Sequence, residues 1–416
     1  MKFPRITKQF VQKELYKLCD GYDTSQLIHK YSLKSTWYPQ DIIKRLIQVC
    51  LERTSLEDIC SSSEGPSADT VHRRCSELQF DQTEQLVNGW LIEVASRLRF
   101  HPNTKITLAF DMYYQPYYEN PTAEWVSGYK RNKGTNYAIC MLVASIATQK
   151  IRCPVAVRFM TKIRHKEKAG LVSSILDDLF DWLPVKRVLF DRGFCQEDII
   201  QLAEDRGLEY IIAAVRHSTI KRAAQTIQET VQAHARLAGV NVDDPFVLGQ
   251  WACQQGIDTF RVEYVATGRK RTQVPLVAAF VRKRTYLQKH LKRRTYGLYL
   301  YLTNTNVTPR RVVKLYSKRW IVETDIRCTN EFKAVTNSTN PQLRLLLYGL
   351  AMVFNALWIV FSTLFHRLSG LSSEILSEEA TISIKQADKL ICIARRFKRF
   401  LRQEILPQIH FLGGDT

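Results

Sequence analysis

The sequence lacks the features that would place it among disulfide-rich secreted proteins or zinc proteins. Its ten cysteines include no Cys-x-x-Cys pair, and its nine histidines show no metal-ligand spacing. Scattered cysteines are typical of free thiols in a reducing compartment. We expect no secretory leader, because Lys2, Arg5, Lys8 and Lys13 interrupt any apolar core at the start of the sequence. We therefore expect a cytoplasmic protein without a disulfide framework.

Long apolar runs are also scarce, and residues 343–365 form the one stretch that resembles a membrane span. Arg344 and Asn355 interrupt this stretch, and no second span accompanies it. Charged and polar side chains are rare inside membrane-spanning helices. The run therefore favours a helix buried in the protein core, and we expect no membrane partner.

Acidic residues are few where basic residues are many. The net charge is +20, and residues 211–310 hold 16 Lys or Arg against 5 Asp or Glu. The hydrophobic content of 45% and charged content of 24% are ordinary for a folded protein. A chain of 416 residues is long enough for two or three domains. A basic surface of this size predicts a polyanionic partner, of which nucleic acid is the commonest.

Residues 1–100 read as a helical N-terminal domain. Apolar residues at helical spacing predict helices at residues 41–53, 55–60 and 67–75. The third helix carries Arg73 and Arg74 on a polar face. This order resembles a helix-turn-helix, in which the two arginines contact DNA. A structural or dimerising helical bundle explains the same pattern, so both interpretations stay open.

Residues 101–216 predict the first part of a mixed α/β core. Three strand-like runs come first, then a helix, a strand, a helix and a strand, at residues 106–110, 137–144, 153–159, 168–182, 188–190, 196–206 and 210–214. This is the order of a ribonuclease-H-like sheet. In that architecture the first and fourth strands are neighbours, so we expect Asp111 and Asp191, which follow them, to meet.

Residues 217–300 predict a basic, β-rich insertion into that core. A helix is expected at residues 220–238, followed by strands at residues 259–267, 274–281 and 296–302. Arg282, Lys283 and Arg284 follow the second of these strands, so a turn or strand end would display them. Such a display suits contact with DNA phosphates. A solvated charged loop is the alternative.

Residues 301–366 return to the core, and one predicted helix there brings several functional groups together. At about 100° per residue, one face holds five side chains: Tyr316, Arg319, Glu323, Arg327 and Asn330. Trp320, Ile321 and Val322 lie off this face and are expected to pack. A surface ladder of salt bridges would explain a carboxylate between arginines equally well.

Two further acids favour a metal site over a salt-bridge ladder. Asp111 and Asp191 each close an apolar strand-like run. An acid at the end of a buried strand is unusual unless it is paired or binds a metal. Together with Glu323, the two acids predict a cage of three carboxylates.

These motifs resemble the DDE transposases of the insertion-sequence-4 superfamily. That group carries three separated acids and a Tyr-x2-Arg-x3-Glu-x6-Lys pattern. Tyr316, Arg319 and Glu323 match it in register, whereas Asn330 stands at the position of the lysine. Lys333 lies three residues further on and could supply a cation.

The resemblance implies a metal-dependent enzyme acting on double-stranded DNA. Asp111, Asp191 and Glu323 would be the catalytic acids and would hold two Mg²⁺ or Mn²⁺ ions, with no small-molecule cofactor. Tyr316 and Arg319 would hold the DNA backbone, and Arg327, Asn330 and Lys333 are further candidates for that contact. The enzyme would bind the terminal inverted repeats of an insertion sequence, hydrolyse the 3′ ends and join them to target DNA.

The resemblance also implies a setting, and it leaves two alternatives. The expected state is a homodimer in the synaptic complex, associated with the nucleoid in prokaryotic cytoplasm. Residues 367–416 predict a basic helical tail that binds DNA or docks on a second protomer. A catalytically inactive DNA-binding relative and a metal-dependent nuclease of the same fold are the alternatives.

Overall fold

The structure is a computed structural model that describes most of the chain and groups it into two compact units. The described residues are 37, 39–62, 64–101, 103–132, 134–148, 151–161, 167–215, 218–265, 273–288, 291–369, 395, 397–399 and 401–405. Residues 1–184 and 320–416 contribute to the first unit, and residues 185–319 form the second. Each unit is therefore described by itself.

The described part of the first unit starts with four helices: α1 (Pro39–Glu52), α2 (Leu56–Ser62), α3 (Ala68–Ser76) and α4 (Phe80–Ser96). The first three confirm the helices predicted from apolar spacing. Ser67 caps α3, because its side chain accepts a hydrogen bond from the backbone N–H of Thr70. The apolar residues of α1 and α4 are buried, so the helices pack through one side.

Four strands of the first unit pair antiparallel: β1 (Ile106–Tyr117), β2 (Val126–Asn132), β3 (Thr135–Ala147) and β4 (Arg152–Met160). One edge of β3 pairs with β1, and its other edge is shared between β2 and β4. Three of these strands were predicted, whereas β2 was missed. Its sequence, Val-Ser-Gly-Tyr-Lys-Arg-Asn, offers too few apolar residues to signal a strand.

Helix α5 (Lys168–Phe180) follows β4, and α10 (Trp320–Thr329) and α11 (Pro341–Ser369) complete the first unit. Both α10 and α11 pack against β4, and α11 also packs against α4. Gly349 allows that close approach, since a Cβ there would lie 2.4 Å from Val87 Cγ1. Residues 341–363 of α11 are apolar and long enough to cross a membrane, but 89% of the most apolar window is buried inside the protein. The prediction of a core helix is confirmed.

The second unit continues the chain with β5 (Val185–Phe190), α6 (Glu197–Asp205), β6 (Glu209–Ala213), α7 (Ser218–Leu237), α8 (Pro245–Gln255), β7 (Thr259–Val265), β8 (Gln273–Gln288), β9 (Leu291–Thr303) and α9 (Pro309–Tyr316). Strand β6 pairs parallel with β5 and antiparallel with β9. Strand β8 lies antiparallel between β9 and β7. Helices α7 and α8 share a small apolar core that includes Val231 and Leu248.

The order of elements confirms the predicted mixed α/β, ribonuclease-H-like fold. Strands β1, β3 and β4 precede α5, β5, α6 and β6 along the chain, as the sequence predicted. The expected domain limits at residues 100, 216, 300 and 366 do not coincide with the limits of the compact units, which fall at 184/185 and 319/320. The predicted β-rich insertion lies inside the second unit.

Two buried polar side chains of α4 bind the backbone of β4. Asn88 Nδ2 donates to Val157 O at 3.0 Å, and Asn88 Oδ1 accepts from Val157 N at 2.8 Å. Glu84 Oε1 accepts from Phe159 N at 2.5 Å. These bonds occupy β4 backbone groups, so the N-terminal helices belong structurally to the sheet.

We expect Asn88→Ala to destabilise the protein, because the N–H of Val157 would lose its side-chain partner inside the core and the C=O of Val157 would keep only Arg158 Nη1. Each unsatisfied buried group costs about 1–3 kcal/mol. Urea denaturation followed by circular dichroism measures the loss. Gln85→Ala, at an exposed position of the same helix, is the matched control. Equal unfolding midpoints for Asn88→Ala and the control would contradict the role of Asn88.

Candidate active site

Asp111 lies in the middle of β1 rather than at its end. The sequence predicted a strand that stops at Phe110, but β1 continues to Tyr117 because β3 pairs with it over that length. The half-buried Asp111 accepts a hydrogen bond from the backbone N–H of Met112 at its Oδ1, at 2.8 Å. Asp111 and Tyr113 share a face of the strand, because alternate residues point the same way.

The predicted helix through residues 316–330 is divided. Helix α9 ends at Tyr316, a 3₁₀ turn spans Ser317–Arg319, and α10 begins at Trp320. Ser317 Oγ donates to the backbone oxygen of Lys314 at 2.7 Å, so a side chain engages a carbonyl of the last turn of α9. The expectation of one continuous helix is therefore wrong.

This division changes which functional side chains share a helix. Glu323 and Arg327 remain on one face of α10, while Tyr316 belongs to α9. Asn330 directly follows α10 and continues that face, because its backbone N–H still bonds Ile326 O at 3.0 Å. Arg327 is exposed, and Glu323 and Asn330 are half-buried. Trp320, which was expected to pack, is 49% exposed because a new helix begins at this residue.

Helix α10 packs against β1, β3 and β4, and one hydroxyl connects it to β1. Tyr113 Oη donates to Asn330 Oδ1 at 3.1 Å, and the Tyr113 ring stacks on Tyr348 with centroids 4.3 Å apart. Tyr113 shares its strand face with Asp111, and Asn330 shares its helix face with Glu323. The hydrogen bond therefore joins β1, two residues from Asp111, to the end of α10, the helix that carries Glu323.

Lys333 reaches the hydroxyl that binds Asn330. Lys333 Nζ donates to Tyr113 Oη at 3.1 Å and lies 5.7 Å from the centroid of the Tyr113 ring. A cation thus lies beside Asn330, which occupies the position of the family lysine. The sequence placed Lys333 in this vicinity by spacing alone, whereas Tyr113 was missed. The signal that could have found Tyr113 is its position two residues after Asp111.

Asp191, Tyr316 and Arg319 lie in the second unit. Asp191 directly follows β5, as predicted, and its backbone oxygen accepts from Phe194 N at 3.0 Å in the next turn. The Arg319 guanidinium lies 5.8 Å from the centroid of the Tyr316 ring, whose own neighbour is the ring of Tyr301 at 4.8 Å. Arg319 is buried.

The basic residues predicted to contact DNA occupy different surroundings. Arg73 is exposed, but Arg74 is only 5% exposed and lies 3.5 Å from Glu77, which removes it from the surface. Arg282, Lys283 and Arg284 lie inside β8, which continues to Gln288. The prediction that a turn or strand end displays them is therefore wrong, because pairing with β9 extends the strand.

Glu331, just beyond α10, is surrounded by cations. Arg395 donates to both carboxylate oxygens at 2.8 and 3.1 Å, Lys398 donates to the Glu331 backbone oxygen at 3.0 Å, and Arg53 lies 3.5 Å away. Phe397, which lies between Arg395 and Lys398 in sequence, is fully buried. Two cations of the expected C-terminal basic tail therefore bind this chain itself. Residues 370–394 of that tail lie outside the described residues.

The first unit supplies only part of the expected site for a hard divalent ion. Asp111 and Glu323 are half-buried carboxylates on elements that pack together, and carboxylate oxygens are the ligands that Mg²⁺ and Mn²⁺ prefer. Throughout the described part of the chain, no three His, Cys, Asp or Glu side chains gather as a metal site. Asp191 belongs to the second unit, so its approach to Asp111 stays a prediction.

We expect Tyr113→Phe to lower the free energy of unfolding by about 1–2 kcal/mol, because Asn330 and Lys333 lose their shared partner. Phenylalanine retains the stacking on Tyr348, so the change isolates the hydroxyl. Thermal denaturation measures the effect. Tyr137→Phe, at an exposed position of β3, is the control. Unchanged stability of Tyr113→Phe would show that the hydroxyl does not hold α10 to β1.

Comparison with known proteins identifies the family. The model of the Transposase DDE domain matches residues 102–356, which is more than half of the chain. No curated protein sequence matches. A solved structure, the Drosophila P element transposase strand transfer complex, is similar at 11% identity and a TM-score of 0.24, over 96% of this chain and 99% of that one. We draw nothing from so distant a likeness. The family match contains Asp111, Asp191 and Glu323, and on that match the chain belongs to the DDE transposase family.

Proposed function

We propose that this protein is an insertion-sequence transposase of the insertion-sequence-4 superfamily. It binds the terminal inverted repeats of its own element, hydrolyses the 3′ ends and joins them to target DNA. The observation that carries the proposal is the packing of α10, with Glu323, against β1, with Asp111, in the register that the Tyr113–Asn330 hydrogen bond sets. The family match supports it.

In this proposal Asp111, Asp191 and Glu323 are the catalytic acids. They would hold two Mg²⁺ or Mn²⁺ ions, which activate a water or a 3′-hydroxyl and stabilise the leaving oxygen of an in-line displacement at phosphorus. The chain's own part is to orient the carboxylates. Half-burial of Asp111 and Glu323 supports this role, because it restricts their rotamers while leaving oxygens accessible.

Tyr316 and Arg319 are proposed to hold the DNA backbone near the cleaved end. The guanidinium lies over the Tyr316 ring at 5.8 Å from its centroid, and the Tyr301 ring lies against the Tyr316 ring with centroids 4.8 Å apart. A pre-ordered pair of this kind binds phosphate with less loss of side-chain entropy. Arg327, Asn330 and Lys333 are proposed to extend the same contact along α10.

The hairpin of β8 and β9 is proposed as a second DNA contact. Its register places Arg284 opposite Arg294 and Lys283 opposite Thr295. The hairpin thus carries several basic residues within a short length of paired strand, which supports a polyanionic partner for Arg282, Lys283 and Arg284.

The N-terminal helices are proposed to recognise the element ends through the exposed Arg73, while Arg74 stabilises α3 from inside. The active state is proposed to be a homodimer in the synaptic complex, because two element ends must be joined together. The proposed location is the prokaryotic cytoplasm, at the nucleoid. A catalytically inactive DNA-binding relative and a nuclease without strand transfer remain the alternatives that experiment must separate.

We expect the wild-type protein to join a labelled element-end duplex to plasmid DNA with Mg²⁺ or Mn²⁺, and Glu323→Gln to lose joining by at least 10³-fold. The amide keeps the shape of the side chain but removes the charge that the displacement requires. Gel analysis of the joined products measures the effect. Glu229→Gln, at an exposed position of α7, is the matched control and should join DNA as efficiently as the wild type.

Other results distinguish the alternatives. Salt-sensitive DNA binding by the wild type and Glu323→Gln, with no cutting or joining by either, would overturn the catalytic proposal in favour of a DNA-binding relative. Cutting without joining by the wild type would favour a nuclease.

A further inference from the structure

A second carboxylate lies on the same helix as Glu323 but faces the interior. Asp325, two residues along α10, is only 1% exposed. Neither of its carboxylate oxygens has a hydrogen-bond partner among the described residues. A buried carboxylate without such partners is costly. Stability alone does not explain why the helix carries an acid here.

The cation nearest to Asp325 is on β4. Arg152 Nε lies 4.0 Å from Asp325 Oδ1, and the Arg152 side chain is itself 14% exposed. The buried hydroxyl of Ser145, on β3, is a neighbour of the Asp325 carboxyl, and Arg152 Nη1 is a buried donor without a hydrogen-bond partner in the described structure. Asp325 therefore faces a buried polar patch made by β3 and β4.

The backbone of α10 is held at the same level by α11. Asn355 Nδ2 donates to the backbone oxygen of Asp325 at 3.3 Å and to Thr329 Oγ1 at 3.4 Å. Asn355 is fully buried. These bonds restrain the position of α10, and the Asp325 side chain adds an electrostatic restraint toward β4.

We propose that Asp325 is a positioning residue for Glu323, which sets the rotation of α10 about its axis through the charge of Arg152. The inference rests on the proposed function of Glu323. Asp325 and Asn330 are five residues apart, so they point about 140° apart around the helix. The Asp325–Arg152 pair restrains α10 on the side of β4, and the Asn330–Tyr113 bond restrains it on the side of β1.

Rotation matters because Glu323 extends from the same short helix. A side-chain terminus lies about 5–6 Å from a helix axis, so a rotation of about 20° would move the Glu323 carboxylate by roughly 2 Å. A displacement of about 1 Å at a reacting centre lowers rates by roughly 10²-fold. Breaking a buried ion pair from one side leaves the other charge uncompensated and favours such a rotation.

The test compares Asp325→Asn, Arg152→Gln and the double variant. We expect each single change to lower the turnover of element-end cleavage at saturating DNA by about 10²-fold, with DNA affinity within twofold of the wild type. We expect the double variant to have at least tenfold higher turnover than the less active single variant, because it removes both charges together. All rates are measured where circular dichroism shows the variants to be folded.

Asp178→Asn is the matched control. Asp178 pairs with Arg158, which lies on β4 like Arg152, but Asp178 itself lies on α5 rather than on α10. Its turnover should equal that of the wild type. Wild-type turnover by folded Asp325→Asn, or an equal loss in Asp178→Asn, would overturn the proposal.

A second readout needs no activity. Trp320 begins α10 and is half-exposed, so the ¹⁹F resonance of 5-fluorotryptophan there, assigned with Trp320→Phe, reports the rotation of the helix. We expect the resonance to move in Asp325→Asn and to return toward its wild-type position in the double variant. An unmoved resonance overturns the positioning role. A wild-type protein that neither cuts nor joins DNA, with the resonance moving as expected, instead overturns the proposed function and leaves the restraint on α10 supported.

Discussion

The packing of α10 on the sheet is the interaction on which the candidate site depends. The helix has ten residues, and helices of that length are marginal in water by themselves. Its conformation and orientation are therefore supplied by β1, β3, β4 and α11. Because polar contacts contribute on both sides, the helix has less freedom to slide or turn than apolar packing alone would leave. The position of Glu323 is accordingly a property of the whole first unit.

The basic character of the chain divides into two uses. Arg395, Lys398 and Arg152 are engaged with acids of the same unit, where they join distant parts of the sequence. The strands β8 and β9 instead contain a run of basic residues in sequence, at residues 282–284 and 292–294. Net charge alone could not separate these uses, since a lysine that binds a buried carboxylate and one that meets a phosphate are identical in composition. Their surroundings decide what each cation is available to bind.

The sequence predicted the order of the core elements because that order depends on local patterns, and the same patterns single out the acids that stay candidates for the site. Buried strands give apolar runs, and an acid after such a run is conspicuous, as at Asp191. What it missed depends on contacts between distant segments. Strand β1 continues past Asp111 because β3 pairs with it, and Arg74 is buried because neighbouring helices cover it. The break before Trp320 is a short 3₁₀ turn at Ser317–Arg319, a change of backbone geometry that helical periodicity does not register.

The first unit is built from both ends of the chain, with residues 185–319 inserted between. During synthesis, α4 and β4 leave the ribosome long before α11, which covers them, is made. At about 5–20 residues per second, the interval between Met160 and Pro341 lasts roughly 10–40 s. During this interval the apolar faces of α4 and β4 are not yet covered by α11. A nascent chain interrupted before Trp320 would lack both α10 and α11. Such an incomplete product has neither a finished core nor the helix that carries Glu323.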